Sequence, residues 1–276
     1  MKGTLYIVST PIGNLEDITL RALRVLKEVD VIAAEDTRHS LKLLNHYGIS
    51  KPMISYYKER EKIRAEELTE KLLAGKSVAL ISDAGTPGIA DPGTILIKKA
   101  LQENIPVVPV PGPSAFVAAL SVSGIPTEEI TFVGFLPSKK THREKLLRDL
   151  ALERRTLVFY EAPHRIMETL SGMETIFTGR EAAVAKEITK LHEEVFRGGI
   201  SDILHQMGGS VIAGEYVVIL EGKKEGPKAS FAEALPEVFS LMKKGFGRKD
   251  AVKKISEAYG LSKKELYDKS LAEEIA

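Results

Sequence analysis

The sequence predicts an α/β protein of two domains followed by a small helical module. Three observations predict it. Over the first 110 residues, short apolar β-branched runs alternate with amphipathic helical segments. Between residues 112 and 222 the strand-like runs move closer together, and beyond 222 only helical spacing remains. Apolar strands alternating with helices call for a mostly parallel sheet covered on both faces. Closely connected strands suit an antiparallel or mixed sheet. The expected divisions are 1–111, 112–222 and 223–276.

Each element has a local reason. Thr4–Thr10 is a short β-branched run, and Thr19–Val29 places Leu20, Leu23, Leu26 and Val29 at helical spacing. Asp30–Ala34 reads as a strand and Thr37–Tyr47 as a helix. Glu59–Ala74 is a charged amphipathic helix stopped by Gly75. Ser77–Ser82 and Ile105–Val110 are strands, with a helix over Pro92–Glu103 between them. The chain turns at Pro111-Gly112-Pro113-Ser114. Ile130–Phe135, Thr156–Glu161, Ala182–Thr189, Glu194–Arg197 and Val211–Gly222 are the strand candidates that follow. Lys223-Lys224-Glu225-Gly226-Pro227 reads as a linker, and helices are expected over 229–244, 247–258 and 262–272. Ser262 with Glu265 three residues on forms a capping-box pattern at the last of them. The last two helices and their Gly260 turn suit either a helix-turn-helix or a plain helical hairpin.

Composition narrows the chemistry. The chain has 276 residues, 43% of them hydrophobic and 28% charged, as in a globular protein with a real core. No apolar run reaches the roughly 18 residues that span a bilayer. The N-terminal segment lacks the apolar stretch and cleavage site of a signal peptide, so the cytoplasm is the expected compartment. With no cysteine, thiolate nucleophiles, disulfides and zinc-thiolate sites are excluded. The six histidines form no metal-binding spacing, so no metal site is expected. Net charge is only +1, yet Lys or Arg stands at 243, 244, 248, 249, 253, 254, 263 and 264 against Asp250 and Glu257. That local excess predicts one basic face suited to nucleic acid.

Several loops follow strands at the carboxyl edge of the expected first sheet, where open α/β sheets bind ligands. Ser9-Thr10-Pro11-Ile12-Gly13-Asn14 follows the first strand; it is either a structural turn or a binding loop. Glu35-Asp36-Thr37-Arg38 ends the second, where Asp36 or Thr37 caps the next helix or the carboxylates face a cleft. Ser82–Gly93 is the strongest signal. Gly85 and Gly88 allow backbone to approach a ligand and Asp83 offers an acceptor, while Asp91 reads as a helix cap with Pro92 in the first turn. Pro111-Gly112-Pro113-Ser114-Ala115 adds another such loop. Farther on, Phe159-Tyr160-Glu161-Ala162-Pro163-His164-Arg165 leaves a strand into a helix, and Lys186–Glu194 is charge-dense. Arg165 and Lys190 suit phosphate binding.

With these strings together, SxPIGN, SDAGTPGIxDPG, PGPSA, FYEAPHRI and KEITKLHEE, the chain resembles the tetrapyrrole methylase family over about residues 3–222. It resembles above all the ribosomal branch, whose members methylate the 2′-oxygen of a decoding-centre cytidine in 16S rRNA. The resemblance implies two α/β domains, a parallel-sheet N-terminal one and a mixed-sheet second one, with S-adenosylmethionine between them, and a homodimer. It implies that Pro11, Asp83, Thr86, Pro87, Gly88, Ile89, Ser114 and Ala115 surround the methyl donor, flanked by Glu161 and Glu187. A ribose hydroxyl is a poor nucleophile, so a base or a cation at the forming alkoxide would help; Glu161, Glu187 and Lys190 are the candidates. The implied partner is 16S rRNA or the small ribosomal subunit, met by Arg165, Lys243, Lys244, Arg248 and Lys249, with Lys139, Lys140, His142 and Arg143 as a second basic group. Porphyrin-acting relatives carry a glycine-rich first loop that Ser9–Asn14 lacks. The alternatives are a methylase of a small corrin-like ring and a non-catalytic ribosome-assembly factor.

Overall fold

The computed structural model describes residues 1–209, 211–224 and 230–272. Glu225, Gly226 and Pro227 of the expected linker, and Ala229 at the expected start of the next helix, lie outside the described residues. The chain divides into two compact units, Met1–Gly222 and Lys223–Ala276.

The first unit holds two five-stranded sheets. In the first, β1 (Leu5–Val8), β2 (Val31–Ala34), β3 (Met53–Ser55), β4 (Val78–Ile81) and β5 (Val107–Val110) lie in the order β3-β2-β4-β1-β5. All its pairings are parallel, with Leu5 against Val78 and Val107. Parallel strands need crossovers that cover both faces. Here they are α1 (Leu20–Glu28), α2 (Thr37–His46), α3 (Glu61–Leu73) and α4 (Thr94–Gln102). One core layer packs Val25, Leu26 and Leu44 against Val8 and Ile32; the other packs Leu68, Leu72 and Leu96 against Leu5, Val78 and Leu80.

The second sheet comprises β6 (Ile130–Phe135), β7 (Thr156–Glu161), β8 (Glu181–Lys186), β9 (Glu194–Gly199) and β10 (Tyr216–Leu220), in the order β6-β7-β10-β8-β9. Only β6 and β7 run parallel, so the sheet is mixed. On one face α5 (Ala115–Ser123) lays Ala119 and Leu120 over Val158, Ala185 and Ile219. The other face is covered by α6 (Lys140–Asp149), α7 (Ile166–Ile176) and α8 (Ile200–Met207).

The second unit is a three-helix module: α9 (Phe231–Lys243), α10 (Arg248–Tyr259) and α11 (Lys263–Ala272). Leu235, Val238, Val252, Ile255 and Leu266 form its core. Ser262 accepts the Glu265 amide at 3.4 Å. A full reciprocal capping box stands instead at Ser230 and Glu233, where the sequence reading had placed no cap. Among the described residues no helix is long and apolar enough to cross a membrane.

Two expectations need correction. Met53–Ser55 is a strand where none was expected; it is only three residues long and has no alternation to reveal it. Helix α4 begins at Thr94, capped by Gly93, so Asp91 and Pro92 stay in the loop. Gly93 has φ 151° and ψ −35° and donates its amide to Glu61 at 2.8 Å, a placement that holds the helix start two residues later.

Two glycines provide a test of the packing. A Cβ at Gly222 would overlap the Arg154 carbonyl, whereas one at Gly172, inside α7, would meet nothing within 4 Å. Gly222→Ala is expected to destabilise by about 1–3 kcal/mol through overpacking. Gly172→Ala is expected to stabilise by about 0.5–1 kcal/mol through helix propensity. Urea denaturation of the two variants measures both.

Candidate active site

Strands β1 and β4 are central neighbours, and the loops after them are joined before any ligand is considered. Thr10 and Gly85 exchange two backbone hydrogen bonds, at 2.8 and 3.0 Å. The Thr10 hydroxyl also donates to the Ser82 carbonyl at 3.0 Å, and the hydroxyls of Ser9 and Thr86 lie 2.8 Å apart. Gly85, at φ 76°, takes a conformation that costs other residues steric strain. The loop after β5 joins them: a Cβ on Gly112 would lie 2.9 Å from that of Ser9. The far end of the Ser82–Gly93 loop is anchored by Glu61, which accepts the Gly93 amide, and by buried Tyr56, whose hydroxyl donates to Glu61 at 3.1 Å.

These loops floor a cavity of about 630 Å³, which the second sheet closes through Phe135, Tyr160, Ala185 and Val217. The volume falls within the range of about 300–1,000 Å³ usual for small-molecule sites. Of the residues implied to hold the donor, Asp83, Thr86, Ile89, Ser114 and Ala115 line the cavity, while Pro11, Pro87 and Gly88 do not. Ile12, next to Pro11, takes its place in the lining. Ser114 precedes α5 but makes no side-chain cap bond, so its hydroxyl is not committed to the helix.

Three carboxylates share one end of the cavity: Glu35, Asp83 and Asp91. Asp36 caps α2 through the amides of Arg38 and His39, and Asp83 accepts the Asp36 amide at 3.1 Å. Burial, and then the neighbouring charges of Asp91, Asp83 and Asp36, push Glu35 up to about 7 against a hydrogen bond from the Asp83 backbone. Burial first, and the charge of Asp83, push Asp91 up to about 6, with a Ser82 hydrogen bond pulling the other way. Carboxyl groups displaced toward neutrality in a cleft are the usual mark of acid–base chemistry. The Glu35 loop is legible in the sequence, whereas Asp91 before Pro92 has the local pattern of a helix cap. Gly93, a poor residue for a first helical turn, is the signal against that cap.

The three residues read as catalytic are held differently. The Glu161 side chain has no exposed area. Its oxygens accept the Ala162 amide, the Arg165 Nε and the Thr169 hydroxyl, the last at 2.7 Å. Arg165 also donates to the Leu136 carbonyl at 3.0 Å. Glu161 and Arg165 therefore brace the turn between β7 and α7, and Arg165 is not presented to phosphate. Glu187 and Thr189 adopt left-handed φ values of 52° and 68°, and Ile188 between them lines the cavity. Such strain is retained where the surroundings over-determine it, often at functional sites.

Here Glu187 accepts Lys190 Nζ at 2.7 Å and the Glu215 amide at 3.0 Å. Burial opposes the Glu187 charge, yet bonds from Lys190 and Glu215 hold its carboxyl below the usual range. Side-chain bonds to Glu187 and Glu215 overcome burial to hold Lys190 above the usual range, so it is a firm cation. Neither Glu187 nor Lys190 lines the cavity; Glu215, which contacts both, does.

Lys243, Lys244 and Lys249 are exposed on the three-helix module, whereas Arg248 donates to the Ser270 carbonyl at 2.8 Å. In the other basic group Arg143 is buried against the Pro137 and Ser138 carbonyls and pairs with Glu168 at 2.7 Å. It is a structural cation.

The family described as Tetrapyrrole (Corrin/Porphyrin) Methylases matches residues 4–204. The chain belongs to the tetrapyrrole methylase family. One relative within reach of this methylase is the ribosomal RNA small subunit methyltransferase I of Halalkalibacterium halodurans, 43% identical over 272 residues that cover 97% of this chain and 94% of that one. The Thermotoga maritima protein of the same name is 48% identical over 222 residues, 80% of this chain and all of that one. Among solved structures, the uroporphyrin-III C-methyltransferase of Thermus thermophilus, complexed with S-adenosyl homocysteine, shares the fold. Its TM-score is 0.55 at 21% identity, covering 79% of this methylase and 97% of that chain.

Two substitutions test the site's construction. Arg165→Ala would leave the buried Glu161 carboxylate uncompensated and is expected to cost about 3–5 kcal/mol of stability, measurable by urea denaturation. For Glu35 the folded value lies above the ordinary 4.5. Both states are neutral well below pH 4.5, and the fold carries an unfavourable charge above pH 7. Glu35→Gln is therefore expected to raise Tm at pH 8 and to leave it unchanged at pH 4. A Tm gain independent of pH would contradict the assignment.

Proposed function

We propose that this methylase transfers a methyl group from S-adenosylmethionine to the 2′-hydroxyl of a cytidine in small-subunit ribosomal RNA, the decoding-centre cytidine methylated by the ribosomal branch. The observation that carries the reading is the juxtaposition, in one cavity, of the family's loop residues with a half-buried carboxyl titrating near neutrality. Relatives matched along almost the whole chain carry a ribosomal RNA methyltransferase name. The Ser9–Asn14 loop lacks the glycine-rich pattern of porphyrin-acting members.

The cavity residues fit the donor chemically. The apolar wall of Ile12, Ala115, Phe116, Ala185 and Val217 suits an adenosine ring, and the uncommitted Ser114 hydroxyl and the Asp83 carboxylate offer polar partners. S-adenosylmethionine, when bound, supplies a methyl group on a good leaving group. The protein's own task is the acceptor, because a ribose hydroxyl must lose its proton. Glu35 takes that proton at the 2′-oxygen: its value of about 7 makes it ionised in a useful fraction at neutral pH and still basic enough to act. Asp91 sustains that basicity by its charge. Glu161 and Glu187 position the second half of the cavity. Lys190, paired with Glu187 and Glu215, fixes the Glu215 carboxylate that lines the cavity. The exposed lysines of the C-terminal module take RNA phosphates. Exposed Val122 on α5 belongs to the apolar surface we assign to a homodimer contact.

The deciding experiment transfers labelled methyl from S-adenosylmethionine to small subunits lacking their native methylation, with free rRNA alongside, and identifies the nucleoside by mass spectrometry. Label in 2′-O-methylcytidine is expected. Donor binding without label in RNA would overturn the ribosomal reading in favour of a small ring substrate. Glu35→Gln is expected to lower kcat by about 10²- to 10⁴-fold, the usual contribution of a general base, with donor affinity unchanged. Asp91→Asn removes a charge that raises Glu35, so the acidic limb of the pH–rate profile should move to lower pH. A limb that stays in place would exclude Glu35 as the base.

A further inference from the structure

The turn between α9 and α10 carries a feature that neither the cavity nor the module's core accounts for. The sequence there is Lys243-Lys244-Gly245-Phe246-Gly247-Arg248-Lys249. Phe231, Phe239, Tyr259 and Tyr267 pack against the module's core, but Phe246 does not, and 44% of its surface is exposed. Its position is fixed. Gly245, at φ 92°, closes α9, with its amide bonded to Met242 and the Phe246 amide to Leu241. Gly247 then caps α10 with no side chain of its own, and Arg248 ties the tip to α11 through the Ser270 carbonyl. Lys254 Nζ stands over the Phe246 ring at 5.4 Å from its centroid. Lys243, Lys244, Lys249 and Lys253 around it are exposed.

An ordered, exposed aromatic ring set among exposed ammonium groups that make no ion pair among the described residues is the chemistry that holds unpaired nucleotides. The ring accepts a base by stacking, and the lysines take the flanking phosphates. A helical hairpin with only a structural task would turn this phenylalanine inward, as the other four aromatics of the module are. We propose that this tip binds single-stranded RNA, with one unpaired base stacked on Phe246 and its flanking phosphates held by Lys243, Lys244 and Lys249. The proposal rests on the reading that RNA is the substrate. It assigns the tip to capturing the strand outside the methyl-transfer cavity. The ring needs no particular base, so the contact is indifferent to sequence and sensitive to strandedness.

The test uses the full chain and a fluorescently labelled single-stranded RNA dodecamer, with an RNA duplex of the same length beside it. Phe246→Ala is expected to weaken single-strand binding about tenfold, within the range that stacking one base contributes. Phe246→Tyr keeps a ring and should bind as the parent does, and Phe246→Leu keeps only bulk and should behave as the alanine variant. Lys244→Gln and Lys249→Gln should each reduce the slope of log affinity against log salt by about 0.7, as for one phosphate contact on a single strand. Thermal melts confirm that each variant is folded. Unchanged single-strand affinity in Phe246→Ala, or full affinity in Phe246→Leu, would overturn the stacking contact while leaving the rRNA reading intact. A parent chain that binds neither RNA would overturn both. S-adenosylmethionine affinity, measured by calorimetry on each variant, should stay constant.

Discussion

The two-way hydrogen bond between Thr10 and Gly85 is the constraint on which the site depends. Strands β1 and β4 are adjacent and parallel, so their carboxyl ends release two loops side by side into the same space. Left alone, two loops rich in Gly and Pro would be mobile and would leave backbone groups in need of partners. Pairing Thr10 with Gly85 extends the sheet by one irregular step, satisfies those groups and makes a single rigid floor of two connections. Ser9–Thr86 and Thr10–Ser82 reinforce the joint, and Gly112 lets the loop after β5 close against it. What remains free above this floor are side chains of a few kinds: Ile12, Asp83, Thr86, Ile89 and Ser114.

On that floor the electrostatics follow from geometry. Glu35 follows β2, Asp83 follows β4, and Asp91 stands on the far limb of that same loop, so two parallel-strand connections bring three carboxyl groups to one end of a partly enclosed cavity. No arginine or lysine neutralises them among the groups that set their titration. The contrast with the other half is instructive. Glu161, Glu187 and Lys186 are also sheltered, but each has a specific partner, in Arg165, Lys190 and Glu194. Paired charges hold a shape; an unneutralised cluster stores a protonation equilibrium that chemistry can draw on. The strained pair Glu187 and Thr189 belongs to the first kind. Its bonds to Lys190 and Glu215 hold a backbone that presents Ile188 to the cavity.

Much of this was legible in the sequence, and for physical reasons. Buried parallel strands read as unbroken apolar runs, so β1, β2, β4 and β5 stand out. The strand β3, three residues with no pattern of its own, exists because β2 offers it an edge, which is tertiary information. The binding loops were legible because glycine and proline between a strand and a helix are costly unless something requires them. Individual side chains were less so. Asp91 before Pro92 fits a helix start perfectly well by local rules, and only the bond from Gly93 to Glu61 moves the start downstream. Glu161 and Lys190 drew attention as charged residues beside a strand end, but whether a charge is free or paired depends on Arg165, Thr169 and Glu215, and no local signal in the chain reveals that pairing.

The two units differ in what their surfaces offer. The first gathers Glu35, Asp83 and Asp91 in a cavity and ties Arg143, Arg165, Lys186 and Lys190 into ion pairs. The second has a small core, seven buried apolar residues among those described; its exposed lysines and Phe246 lie outside that core. The Thermotoga maritima relative, matched along its whole length by 222 residues of alignment, is shorter than this chain by about the size of this unit. The family match, over residues 4–204, likewise falls within the first unit. On the proposed reading, the second unit governs how long and how selectively an RNA strand is held, which depends on ionic strength and strandedness.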